Sequence, residues 1–128
     1  MANQSETVRV MTAFEAFTED IIKQLTSEVT AELGEATPVD TGWAQANWVP
    51  NLHSHHKGTV GSKEEVTQTA QAEGLVKVYT MYELPDLVFV SNNVSYIMRL
   101  NAGHSGQAPK GYVQVAILKA IHEVEKRV

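Results

Sequence analysis

A long amphipathic segment near the start of the chain is the feature that most constrains its fold. Between residues 8 and 33, apolar side chains recur every three or four positions, which is the spacing of one helical face. They are Val10, Met11, Phe14, Phe17, Ile21, Ile22, Leu25, Val29 and Leu33. A helix of this length extends about 40 Å, which is long for a chain of 128 residues. Part of it is therefore expected to lie against something outside its own fold.

The residues after this segment predict where the helix stops. Gly34 is expected to end it, because glycine readily adopts the left-handed conformation of a C-terminal cap. Pro38 then blocks any helical continuation, and Asp40 favours a new turn at residues 41–42 by bonding forward to backbone amides.

Two short segments are predicted to be strands. Trp43 and Trp48 bracket a stretch that runs from a helical turn into a strand near residues 47–52, and Pro50 predicts that this strand lies at a sheet edge. The β-branched and aromatic run "LVFVSN", residues 87–92, predicts a buried strand.

The segment between the strands predicts a helix. Ser62 and Glu65 have the capping-box spacing, so the helix is expected to start there and to run to about Tyr82. Residues 74–82 would also suit a strand, and Gly74 weakens the helical interpretation. We favour the helix.

A last helix is predicted after Pro109, which lies where a missing N–H matters least. Its apolar stripe comprises Val113, Ile117, Ala120, Ile121, Val124 and Val128. The element order predicts one α+β domain over residues 1–128, with a long N-terminal helix, a small antiparallel sheet, a middle helix and a C-terminal helix.

Composition excludes several classes of protein. With 43% apolar and 20% charged residues the chain is typical of a globular domain, and the lack of cysteine excludes disulfides and thiolate chemistry. A net charge of -5 argues against nonspecific nucleic-acid binding. No apolar run approaches the roughly 18 residues that span a bilayer, and the first residues lack a signal-peptide pattern. We expect a protein made and used in the cytosol, without a membrane.

The stretch Gly103-His104-Ser105-Gly106 invites two catalytic interpretations, and both are weak. A nucleophile elbow needs G-x-S-x-G, but here the second glycine comes one residue early. A phosphate loop needs G-x-x-x-x-G-K-[ST]. Gly106 and Gly111 have that separation, but Tyr112 replaces the lysine. A structural turn is favoured over a hydrolase that uses Ser105.

His53, His55 and His56 form the one metal-like cluster of the sequence. Neutral imidazoles bind zinc or nickel, but no cysteine and few carboxylates lie nearby, so a solvated loop is favoured. The loop aromatics Trp43, Trp48, Tyr96 and Tyr112 suit a core or an interface equally well.

Two segments taken together, "TPVDTGWAQANW" and "SNNVSYIMRLNAGHSGQAPKGYV", resemble the tail-completion or neck proteins of tailed bacteriophages, a family related to lambda-like minor tail proteins. In the first segment the matching residues are Thr37, Pro38, Val39, Asp40, Thr41 and Gly42, with Trp48 as the closing aromatic. In the second they are Asn92 or Asn93, Tyr96, Gly103, Ser105, Gln107, Ala108, Pro109, Gly111 and Val113. Two departures stand out: Trp43 replaces a frequent Arg or Lys, and Asn101-Ala102 replaces the usual acidic residue before Gly103.

This resemblance implies a structural virion protein rather than an enzyme. It would form a ring, typically of six copies, at the head–tail junction, between the head-side connector or stopper proteins and the tail-terminator or tail-tube protein. The ring would line the channel through which phage DNA passes, would assemble in the host cytoplasm, and would need no cofactor or metal. A small cytosolic binding module is the alternative. The residues nominated for partner contacts are Asp40, Thr41, Gly42, Trp43, Trp48, Tyr96, Gly103, His104, Ser105, Gln107 and Pro109.

Overall fold

The computed structural model describes residues 4–128. Its elements in chain order are α1 (Gln4–Ala36), α2 (Trp43–Ala46), β1 (Val49–Leu52), α3 (Thr69–Met81), β2 (Val88–Ser91), α4 (Ile97–Asn101) and α5 (Tyr112–Glu125). This is the predicted α+β class, with the long first helix, the antiparallel pair and the middle and last helices in the expected order. No helix in the described part of the chain has the length and apolarity to cross a bilayer.

The predicted end of α1 at Gly34 is wrong, because the helix continues to Ala36. Gly34 is buried, and its carbonyl accepts a hydrogen bond of 2.9 Å from the Gln45 side chain. Thr37 ends the helix, since both its amide and its hydroxyl donate to the Leu33 carbonyl, at 3.1 and 2.6 Å. Pro38 then disfavours helical geometry at the residue before it.

Only the C-terminal part of α1 belongs to the core. Every residue from 5 to 17 is exposed, including Phe14 at 69%. Farther along, Ile22 packs on the cluster of Leu52 and Val78, and Leu33 packs in a second cluster. The predicted apolar face is therefore continuous in sequence, but the other elements of the fold pack against only its C-terminal half.

The two strands pair antiparallel, with Val49 opposite Ser91 and Leu52 opposite Val88. Each strand of a two-stranded sheet has a free edge, so β1 tolerates Pro50, as predicted. The prediction of a buried β2 is wrong, because every residue of β2 is only partly buried. Since residues 4–128 form no third strand, one edge of β2 is left unpaired.

Residues 74–81 are helical, which settles the ambiguity of this segment in favour of α3. The predicted start at Ser62 is wrong, because α3 begins seven residues later at Thr69. Half of the capping box nevertheless forms, since the Glu65 amide donates to Ser62 Oγ at 3.0 Å. The Ser62 amide donates to the Glu65 carbonyl at 3.1 Å, which closes a local turn instead of a helix.

Helix α5 runs back along α1: Ala116 packs with Leu33, and Arg127 pairs with Glu28. Its buried side chains, four residues apart, are Tyr112, Ala116, Ala120 and Val124. The predicted stripe was therefore partly wrong, because Ile117, Ile121 and Val128 are exposed. Alanines at the contact let the two helices approach closely, which turns the larger side chains outward. The short helix α4 was not predicted.

Candidate functional site

The two motif segments meet in space. They line a cleft of about 270 Å³ whose walls are Pro38, Asp40, Thr41, Gly42, Trp43, Ala44, Lys63, Tyr96, Leu100, His104, Ser105 and Gln107. Direct hydrogen bonds join the segments: the Val39 amide donates to Gln107 Oε1 at 2.9 Å, and the Asn92 amide group donates to the Ala44 carbonyl at 2.8 Å. Eight of the eleven nominated residues are therefore brought together at one place.

The first wall of the cleft is a turn that leads into α2. Gly42 has a φ of 88°, a left-handed conformation that glycine adopts without strain. The Thr41 hydroxyl accepts from the Trp43 amide at 3.2 Å, and the Trp43 indole N–H donates to the Val60 carbonyl at 3.0 Å. These bonds fix the orientation of the indole ring.

The aromatic floor of the cleft is formed by Trp43 and Tyr96. Their ring centroids lie 6.1 Å apart with the planes tilted by 55°, which is a favourable arrangement for an aromatic pair. Lys63 Nζ lies 5.3 Å from the centre of the Tyr96 ring, within the range of a cation–π contact. Lys63 was missed by the sequence analysis, since it comes from the loop before α3 and belongs to neither motif.

The second wall is the loop between α4 and α5. Gly103 has a φ of 95°, and the His104 amide donates to the Arg99 carbonyl at 3.2 Å. The Ser105 hydroxyl accepts from the Gln107 amide at 3.0 Å, which is a local turn bond. Among the hydrogen bonds of residues 4–128, none joins Ser105 to an imidazole or a carboxylate. The hydroxyl of Ser105 thus shapes the loop.

Trp48, Gly103 and Pro109 do not line the cleft. Trp48 is buried at 7% exposure, and its indole N–H donates to Thr37 Oγ1 at 2.7 Å. Pro109 borders a separate depression beside Tyr112 and Lys119. Trp48 is therefore a core residue that links α1 to β1.

Two asparagines outside the cleft bond to the backbone of the residues that form its first wall. Asn47 is buried at 2% exposure; its amide group donates to the carbonyls of Trp43 and Val60, at 2.8 and 3.0 Å, and its Oδ1 accepts from the Val60 amide at 2.7 Å. Asn92 donates to the Ala44 carbonyl at 2.8 Å, which ties the end of β2 to α2. Asn47 was missed, because a single asparagine beside a tryptophan carries no signal of burial.

The three histidines of residues 53–56 do not converge on a shared site. His53 has a φ of 69°, and its Nδ1 lies 3.8 Å from Asp86 Oδ1. The carbonyl of His56 accepts from the Asn93 amide group at 2.7 Å. The part of the chain that the structure describes contains no group of three side chains placed to bind a metal.

Burial raises the pKa of Tyr96 above 10, and the negative charge of Asp40 raises it further. Because the folded-state pKa lies above the unfolded one, the stability that Tyr96 contributes is complete below about pH 10 and is lost as the pH rises through the folded-state value.

We expect Asp40→Asn to lower the pKa of Tyr96 but to leave it above 10, since burial is the larger cause. Ultraviolet titration of tyrosinate, with Tyr96→Phe to assign the transition, measures the shift. An unchanged pKa would contradict the proximity of Asp40 to this phenol.

Gly103 and Gly106 offer a matched pair of substitutions in one loop. A Cβ at Gly103 would lie 3.2 Å from Lys110 Cβ in a backbone of positive φ, whereas a Cβ at Gly106 would meet nothing within 4 Å. We therefore expect Gly103→Ala to lower the free energy of unfolding by about 1–2 kcal/mol, and Gly106→Ala to change it by less than about 0.5 kcal/mol. Urea denaturation measures both, and equal losses would contradict the loop geometry.

No protein-family model, curated protein or solved structure matches the chain. The geometry of the cleft is therefore the main guide to its use. It offers two aromatic faces, the carboxylate of Asp40, the ammonium group of Lys63 and the amide of Gln107, a mixture that suits a loop or side chain of a protein partner.

Proposed function

We propose that the chain is a structural virion protein of a tailed bacteriophage, which forms a ring at the head–tail junction and completes the tail. The observation that carries this proposal is the meeting of the two motif segments in one cleft. Segments that resemble one family in sequence, and that lie far apart in the chain, form a single continuous surface. Such a surface is what recognition of a neighbouring protein requires.

Two physical features support the proposal. The net charge of -5 suits the wall of a DNA channel, because an acidic surface does not bind the phosphate backbone. Residues 5–17 of α1 are all exposed. This stretch of helix is about 20 Å long. A subunit of a ring needs such projecting elements to contact its neighbours above, below and beside it.

Deleting the gene from the phage or prophage that carries it tests the proposal. We expect particle preparations of the deletion strain to contain filled heads and separate tails, and infectivity to return when the gene is supplied on a plasmid. Normal yields of joined particles without the protein would overturn the proposal.

The same complementation assay separates an assembly role from chemistry. Ser105→Ala and a triple alanine variant of His53, His55 and His56 are expected to restore joined particles as the unmodified gene does. In contrast, Trp43→Glu places a charge on the cleft floor and is expected to reduce complementation strongly while the purified variant stays folded. Loss of function on Ser105→Ala, with Trp43→Glu active, would favour the hydrolase instead.

A further inference from the structure

The two outer edges of the sheet differ. Helix α3 covers the edge of β1: Gln71 Nε2 donates to the Trp48 carbonyl at 2.9 Å, and Gly74 lies so close to the Pro50 carbonyl that a Cβ there would overlap it. The edge of β2 has no such cover, because no third strand joins it within residues 4–128. The sheet is therefore closed on one side and open on the other.

The strand register shows which backbone groups of β2 face the open edge. In an antiparallel pair, positions that exchange hydrogen bonds alternate with positions that do not. Pro50 has no N–H, so its partner Val90 occupies a non-bonded position. The His53 amide donates to the Leu87 carbonyl at 2.9 Å, as the same alternation requires. The bonds to β1 therefore come from the odd-numbered residues, and Val88 and Val90 direct their N–H and C=O groups away from it.

These outward groups have no partner in the fold. Within residues 4–128, no hydrogen bond from outside the strand pair reaches the amide or the carbonyl of Val88 or Val90. Native proteins protect such an edge with lysine, proline or a bulge. The run "LVFVSN", residues 87–92, contains neither charge nor proline, and its pairing with β1 is regular. An unprotected edge of this kind favours pairing with another extended segment.

An apolar groove of about 400 Å³ lies beside the open edge. Its walls include Ile22 and Leu25 of α1, Ile117 of α5, and both edge valines, Val88 and Val90. Val88 packs in the same cluster as Ile22, so the even-numbered side chains of β2 face α1. Every second side chain of an added strand would enter this groove, and its lining favours aliphatic ones.

The size of the open edge determines what kind of partner fits it. Four residues of strand span about 13 Å, so the edge and its groove cover only a few hundred Å². A stable dimer buries roughly 800 Å² per partner, which two β2 edges of this size do not reach. A short segment is sufficient when other contacts of the same partner hold it in place. The edge therefore suits an arm of a larger partner better than a second copy of β2.

We infer that the open edge of β2 binds an extended segment of another protein as a third, antiparallel strand. Val88 and Val90 then each exchange two hydrogen bonds with one residue of the segment. The side chains of those residues are aliphatic and enter the groove. Asp86 is the one charged residue of the lining and precedes the strand, so the segment is uncharged where it lies along the valines. This site is separate from the cleft and goes beyond the proposed function.

Titration of the isotope-labelled full chain with the peptide acetyl-KTVTVTVTK-amide, followed by NMR, tests the site. In the free chain, the amides of Val88 and Val90 are expected to exchange with solvent quickly. The peptide should bind with a dissociation constant below about 1 mM and slow this exchange at least tenfold. The same peptide N-methylated at each valine keeps every side chain but cannot donate to β2, so it should bind at least tenfold more weakly.

Leu87 and Leu118 provide a matched pair of variants on the protein side. Both side chains are 65% exposed, but Leu87 borders the groove, whereas Leu118 lies on α5 outside it. Leu87→Lys places a protective charge at the open edge and should weaken binding of the peptide roughly tenfold. Leu118→Lys should leave the affinity unchanged.

Four results would each overturn the inference: slow exchange of the Val88 and Val90 amides in the free chain, no binding at millimolar peptide, equal affinity for the methylated peptide, or equal losses in the two lysine variants. Each of them would leave the neck function standing. Joined particles made without the protein would overturn that function and leave the strand site standing.

Discussion

Replacing Gly74 by alanine is expected to destabilise the fold, although alanine is the better helix former by about 1 kcal/mol. Helix α3 crosses β1 so closely that a Cβ at Gly74 would overlap the Pro50 carbonyl oxygen and lie 3.1 Å from Pro50 Cγ. Neither backbone can give way without moving α3 off the sheet. We expect a loss of about 2–3 kcal/mol in the free energy of unfolding, measured by urea denaturation.

Gly34 is the matched control for this substitution. It also lies inside a helix and is buried, but a Cβ there would meet only Gln45 Cγ, at 3.8 Å. Gly34→Ala should therefore raise stability by about 0.5–1 kcal/mol through helix propensity alone. Two helical glycines are thus expected to respond with opposite sign. A stabilising Gly74→Ala would show that α3 does not approach β1 this closely.

Replacing Asn47 by aspartate is expected to have the second large effect. The amide group of Asn47 donates to two carbonyls at a site of 2% exposure, and a carboxylate cannot donate. The change would leave the Trp43 and Val60 carbonyls unpaired and facing a negative charge. We expect a loss of about 3 kcal/mol, with a red shift of tryptophan emission as Trp43 is released into water.

Asn93→Asp is the control for the loss of an amide donor. The Asn93 amide group also donates to two carbonyls, those of His56 and Gly58, at 2.7 and 3.0 Å, but the residue is exposed. Water replaces the lost donor there, so the loss should stay below about 1 kcal/mol. Similar losses at Asn47 and Asn93 would mean that burial does not set the difference.

Periodicity predicted the elements whose structure depends on local pattern. The three-to-four spacing from residue 8 to 33 predicted α1, and the β-branched run before Asn92 predicted β2. It failed where a contact distant in sequence decides the outcome. Gly74 weakens a helix by propensity, yet it is required in α3 because β1 lies against it. The predicted bond from the Glu65 amide to Ser62 Oγ does form, but it closes a turn that precedes α3 instead of starting the helix.

The candidate site was predictable only in part. The resemblance to neck proteins nominated Asp40, Trp43 and Tyr96, which the cleft brings together. Gly42 and Gly103, which the same resemblance nominated, both have a positive φ that glycine adopts without strain. The roles of Lys63 and Asn47 could not be predicted in the same way. Lys63 contacts the Tyr96 ring and Asn47 bonds to Val60, and both partners are distant in sequence. Trp48 carries no sequence mark that separates a core tryptophan from an exposed one.

The most direct test of the central claim is an electron cryomicroscopy reconstruction of the head–tail junction of the phage that encodes this chain. We predict a closed ring of copies between the connector and the tail tube, in which the Asp40–Tyr96 cleft faces a neighbouring protein. A junction whose rings are all accounted for by other proteins, with this chain absent from the particles by mass spectrometry, would contradict it.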